Sequence, residues 1–97
     1  MEEIISAVCR RYSIEEKDIA SPGKYRKLSE ARGMAAWLIL ETGFGSISAL
    51  GSLTGRDVTT LSAVAKHLQE RAKKDSGLSE RMMELKKELG LITLMQA

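Results

Sequence analysis

Apolar positions along this chain recur at three- and four-residue intervals, the spacing that lines one side of a helix, rather than alternating as along a half-buried strand. Ile4, Ile5, Val8 and Tyr12 make such a face from Glu2 to Tyr12, with acids in the first turn and Arg10 and Arg11 near the end, where the helix dipole favours them. Ser13 with Glu16 three residues on reads as a capping box for a short second helix ending near Ala20, and Ser21-Pro22-Gly23 then breaks the chain. A long helix is predicted from about Lys24 to Thr42. Its middle, Met34 to Leu40, is apolar on every side, so it must be the covered central post of the fold.

Gly43 and Gly45 stop that helix, and Ser46 can cap the next, which carries Ile47, Ala49, Leu50 and Leu53. Gly55 can take the left-handed conformation that closes it, and Asp57 can cap a further helix whose inward face is Val58, Leu61, Ala65 and Leu68. The opposite face carries Thr59, Thr60, Ser62, Lys66 and Gln69. Asp75-Ser76-Gly77 reads as a linker, after which Ser79 caps a last helix through Leu89, with Leu78, Met82, Leu85 and Leu89 as its stripe and an apolar tail, Leu91 to Met95. The expected fold is therefore all-α, a compact bundle of five to six helices. Residues 1–75 are expected to form its main domain and residues 76–97 a helix and tail packing on that domain or on a partner.

Two helices joined by a short glycine-containing turn, with hydrogen-bonding side chains opening the second, is the sequence form of a helix-turn-helix that lays its second helix in the DNA major groove. The overall charge of +2 does not announce a nucleic-acid partner, but its distribution does. Lys24, Arg26, Lys27 and Arg32 against Glu30 leave a local excess of three positive charges. Arg56, Lys66, Arg71, Lys73 and Lys74 against Asp57 and Glu70 leave another three. Basic segments on either side of a reading helix suit two runs of phosphates. Cys9 and His67 are each the only residue of their type, so neither a disulfide nor a metal site is expected. No leader opens the chain and the apolar run at Met34 to Leu40 is too short for a bilayer, so the expected setting is cytoplasmic, with no membrane partner.

The segment Gly55-Arg56-Asp57-Val58-Thr59-Thr60-Leu61 resembles the signature of the carboxy-terminal DNA-binding domain of the bacterial replication initiator DnaA, Gly-Gly-Arg-Asp-His-Thr-Thr-Val. Upstream, Arg26 to Ala35 resembles the family's Arg-x-x-x-x-Pro-Arg-Gln-x-Ala segment, and Ser46-Ile47-Ser48-Ala49-Leu50-Gly51 its Ser-Leu-x-x-Ile-Gly. The resemblance implies binding of short duplex boxes, with Arg26 in the minor groove, Arg32 on a phosphate, and Arg56, Asp57, Thr59 and Thr60 on bases and backbone of the major groove. With Lys24 from the basic segment, Val58 in the place of the histidine, and Lys66 further along the second helix, these make the expected DNA-binding set. Val58 for the histidine, a single glycine in a turn one residue shorter, and Ala31 for the proline are departures that argue for a different box.

Similar domains close some transposases associated with repetitive palindromic elements, and Arg-Asp-Val-Thr-Thr-Leu-Ser leans that way. Catalysis by Tyr12 or Tyr25 would need the paired-histidine metal site of those enzymes, which one histidine cannot supply. The chain also lacks a Gly-x-x-x-x-Gly-Lys-Ser/Thr loop. No enzyme activity, nucleotide, metal or cofactor is expected. The competing reading is a protein-interaction module, docking a partner or a second copy through residues 78–95.

Overall fold

The computed structural model describes residues 2–21 and 26–96, with side chains to residue 90. Among them lie six helices: α1 (Glu2–Tyr12), α2 (Glu16–Ala20), α3 (Arg26–Thr42), α4 (Ile47–Thr54), α5 (Val58–Ala72) and α6 (Ser76–Gln96). The fold is an all-α bundle containing a helix-turn-helix. Lys24, Tyr25 and the Pro22-Gly23 part of the predicted break lie outside the described residues, as do the side chains of the tail Leu91 to Met95.

Helix α3 is the post that its composition predicts. Every residue from Ala31 to Ile39 is buried, and α3 touches each of the other five helices. Only Leu40, 54 % exposed, escapes the apolar run. Helices α3 and α5 approach so closely that a Cβ on Gly33 would lie 2.7 Å from Val64 Cγ1. A side chain here would drive the helices apart or force Val64 from its rotamer.

Two helix starts differ from the sequence reading. Ser13 does not cap α2; it takes φ 55°, closing α1 with Ile14 N–H donating to the Cys9 carbonyl. The reciprocal contact moves two residues on, where Glu15 N–H donates to Asp18 Oδ2 at 2.9 Å. Likewise Asp75-Ser76-Gly77 is not a linker. Asp75 Oδ1 accepts Leu78 N–H at 3.1 Å, so α6 begins at Ser76 rather than after Ser79, and it runs past Leu89 to Gln96. Where two residues able to cap lie within a turn or so of each other, local pattern alone does not choose between them. Leu78, Met82, Leu85 and Leu89 are buried, and α6 packs on α1, α3 and α5, so the stripe is engaged by its own bundle.

One polar cluster crosses the core. Glu30 of α3, with its side chain 12 % exposed, accepts the Tyr12 hydroxyl at 2.5 Å and pairs with Arg71 at 3.4 Å and Arg81 at 3.7 Å. A carboxylate this enclosed is tolerated only when its charge is met, and here three helices meet it. Burial, and then the hydrogen bond to Glu30, push the Tyr12 phenol well above its usual 10.0. The folded chain therefore keeps that proton after the unfolded chain releases it. Its contribution is complete below pH 10 and declines as pH rises further. Denaturant titrations carried upward through that range should show stability falling, and falling less in Tyr12→Phe. Equal alkaline slopes in the two chains would show that Tyr12 is not the group responsible.

Candidate nucleic-acid interface

The helix-turn-helix is α4, the turn Gly55-Arg56-Asp57, and α5. Ser46 opens it by accepting Ala49 N–H at 3.3 Å. Leu50 and Thr54 are buried, and the Thr54 hydroxyl donates back to the Leu50 carbonyl at 2.8 Å. Gly55 lies at φ +67°, and Arg56 N–H reaches the Gly51 carbonyl at 3.0 Å, a paired glycine-type closure of the helix end. Gly51 is where the turn folds back on α4: a Cβ there would stand 2.6 Å from the Arg56 carbonyl oxygen. The glycine shared with the initiator pattern thus has a steric reason.

Asp57 caps α5, its Oδ1 accepting Thr60 N–H at 2.7 Å. Bonds from the Thr60 N–H, the Thr60 hydroxyl and the Thr59 N–H hold this fully exposed carboxyl below its ordinary range, so it is ionised at neutral pH. Leu61, Ala65 and Leu68 face the core as expected. Val58 does not. It is 40 % exposed, at the first position of α5. Leu53, at the end of α4, is likewise 40 % exposed rather than buried. Around Val58 the outward face of α5 carries Thr59, Thr60, Ala63 and Lys66, all exposed.

Helices α3 and α5 run in the same sense. Ser29 lies with Thr60 and Val64 at one level, Gly33 against Val64 and Leu68 at the next, and Trp37 with Gln69 and Ala72 beyond. Arg26, exposed as the first residue of α3, therefore lies at the end of the bundle where α5 begins. Arg56, half-buried, donates from Nη1 to the Thr54 carbonyl at 2.7 Å.

Arg32 corrects the expected set. It is 2 % exposed and lies within the buried run of α3. Its Nε donates to the Ile19 carbonyl at 2.8 Å, and its Nη2 to the carbonyls of Ser21 at 2.5 Å and Asp18 at 3.2 Å. Burial, and then the nearby Arg56 guanidinium, lower its pKa. A guanidinium committed to carbonyls inside the fold does not present itself to a phosphate. The second basic segment is also less available than its charge count suggests, since Arg71 faces Glu30 and Lys73 pairs with Glu70 at 3.4 Å. Lys66 is exposed and makes no ion pair among the described residues. Ala63 and Ser29 were not singled out from the sequence; Ala63 sits one helical turn from Thr59, a spacing that could have found it.

Among the described residues no three His, Cys, Asp or Glu side chains gather as metal ligands, and no helix is long and apolar enough to cross a membrane. Comparison with curated proteins gave no match. The family described as the bacterial dnaA protein helix-turn-helix matches residues 1–68, from α1 to Leu68 of α5, and so takes in the whole of α4, the turn and the exposed start of α5. The chain belongs to this DnaA helix-turn-helix family of DNA-binding domains.

Proposed function

We propose that this domain binds double-stranded DNA sequence-selectively, with the first turns of α5 in the major groove and Arg26 and Lys24 against the adjoining minor groove and backbone. The observation that carries the reading is the start of α5. There a capped, rigid helix end presents Val58, Thr59 and Thr60 outward beside Arg56. In this geometry Asp57, Thr59 and Thr60 are the base-facing polar groups, and Val58 offers no hydrogen bond and can only meet a thymine methyl. Lys66, two turns along, reaches backbone alone. The same reading supports a cytoplasmic setting, and the Arg-Asp-Val-Thr-Thr-Leu-Ser segment supports a parent among replication- or transposition-related proteins.

With Arg32 and Arg71 turned inward and Lys73 paired, six cations of the two segments remain for phosphates, so log K should fall against log salt with a slope of about −5. Selection from a random duplex pool followed by binding at stepped salt concentrations tests this. A slope near zero, or no binding even in low salt, would dismiss the DNA reading. Enrichment of no sequence, with the slope intact, would dismiss selectivity alone.

A further inference from the structure

We infer that the notch between α3 and the start of α5 seats one backbone phosphate of the duplex, held by the Ser29 hydroxyl and the Arg56 guanidinium. The inference rests on the DNA reading above and deepens it, adding Ser29, a residue to which the helix-turn-helix pattern assigns no role.

The notch has a volume of about 70 Å³ and is lined by Ser29 of α3, Arg56 of the turn and Thr60 of α5, with Arg32, Leu61 and Val64. That is room for the outward oxygens of one phosphate and not for a base. None of the lining residues is acidic, and its two guanidiniums are close enough for Arg56 to lower the Arg32 pKa. An anion set beside both relieves that repulsion. Arg32 does not grip it, because its Nε and Nη2 are committed to the carbonyls of Ile19, Asp18 and Ser21, and it contributes charge from within the fold. The Thr60 hydroxyl is engaged by Asp57. Two donors are left to hold the anion. Ser29 is exposed and its hydroxyl has no partner among the described residues. Arg56 commits Nη1 to the Thr54 carbonyl at 2.7 Å, and its Nε and Nη2 have no partner among the described residues.

The notch also lies where a strand of the duplex must pass. Ser29 stands one helical turn after Arg26 on α3 and at the level of Thr60, in the first turn of α5. With α5 in the major groove and Arg26 against the adjoining minor groove, the sugar-phosphate strand that divides those grooves crosses between the starts of α3 and α5. A phosphate held there fixes the register of α5 on the duplex without reading a base.

The test uses the full chain, a duplex selected by it, and copies of that duplex in which an uncharged methylphosphonate replaces one phosphate at a time. Ser29→Ala puts a strong helix former at an exposed position, so the thermal midpoint should not fall. It should weaken selected and random duplexes alike by about tenfold, the effect of losing one hydrogen bond to a charged group, and leave the preferred sequence unchanged. Arg56→Gln should weaken both and flatten the salt slope by about one unit. At one methylphosphonate position the wild-type chain should lose about tenfold or more, and there Ser29→Ala should cost little further, whereas Lys66→Ala should keep its full loss. Wild-type affinity in Ser29→Ala, a loss confined to the selected sequence, or a Ser29→Ala loss undiminished at every methylphosphonate position would each overturn the phosphate seat while leaving DNA binding standing. A wild-type chain that binds no duplex overturns the DNA reading itself, and this inference with it.

Discussion

A chain ending at Lys74 is expected to lose its cooperative thermal transition, although every residue of the family match would be retained. Removing α6 uncovers the faces of α1, α3 and α5 on which Leu78, Met82, Leu85 and Leu89 lie, each no more than 3 % exposed. Burial of side chains of this size contributes about 1.5 to 3 kcal/mol each, so the four together carry roughly 6 to 12 kcal/mol. The whole stability of a small domain is only about 5 to 15 kcal/mol. The same cut removes Arg81 from Glu30, and removes the Glu88 and Glu84 partners of Arg10 and Arg11. The surface pairs matter little, but leaving the largely enclosed Glu30 carboxylate with one cation fewer is costly. The measurement is a thermal melt of the truncated chain followed by far-UV circular dichroism. A single transition within about 5 °C of the full chain would show that α6 is an accessory rather than one wall of the core.

The elements that follow from local chemistry were legible in the sequence. Gly55 and Asp57 announce the end of one helix and the start of the next, and both do so in the structure, at φ +67° and through the Thr60 N–H. The apolar run of α3 likewise names the central helix without any tertiary information. What escaped was set by partners far along the chain. Arg32 looked like a cation on a basic segment because its three carbonyl acceptors lie in a different helix, yet one signal was present. A charged residue flanked by Ala31 and the run from Met34 to Leu38 must find its counterparts inside the fold. Arg71 was counted towards a phosphate footprint for the same reason, its carboxylate partner being 41 residues upstream. Val58 falls on the three-residue spacing of the core stripe, but at the first position of α5 it is 40 % exposed, so periodicity alone does not decide burial at a helix end.

Replacing Asp57 should produce the largest change in sequence preference of any single substitution on α5, and the choice of replacement separates its two roles. The carboxylate accepts the Thr60 N–H through Oδ1, which accounts for its position whether or not DNA is present. It is also exposed, ionised and at the cap of the helix that the proposed docking directs into the major groove. A negative charge so close to phosphates costs affinity for every sequence alike, and is recovered only where Oδ2 accepts from the amino group of a cytosine or adenine. Asp57→Ala should therefore leave or raise affinity for random duplex while reducing the margin of the selected sequence by roughly tenfold or more. Asparagine caps a helix as well as aspartate does, so Asp57→Asn keeps the start of α5 intact while its amide can donate where the carboxylate could only accept. Its preferred base at that position should change rather than disappear. Lys66→Ala is the internal control, weakening selected and random duplexes equally and flattening the salt slope by about one unit. Should both Asp57 variants retain the wild-type preference while Lys66→Ala alters it, α5 does not enter the groove by its amino-terminal end, and Asp57 is a cap and nothing more.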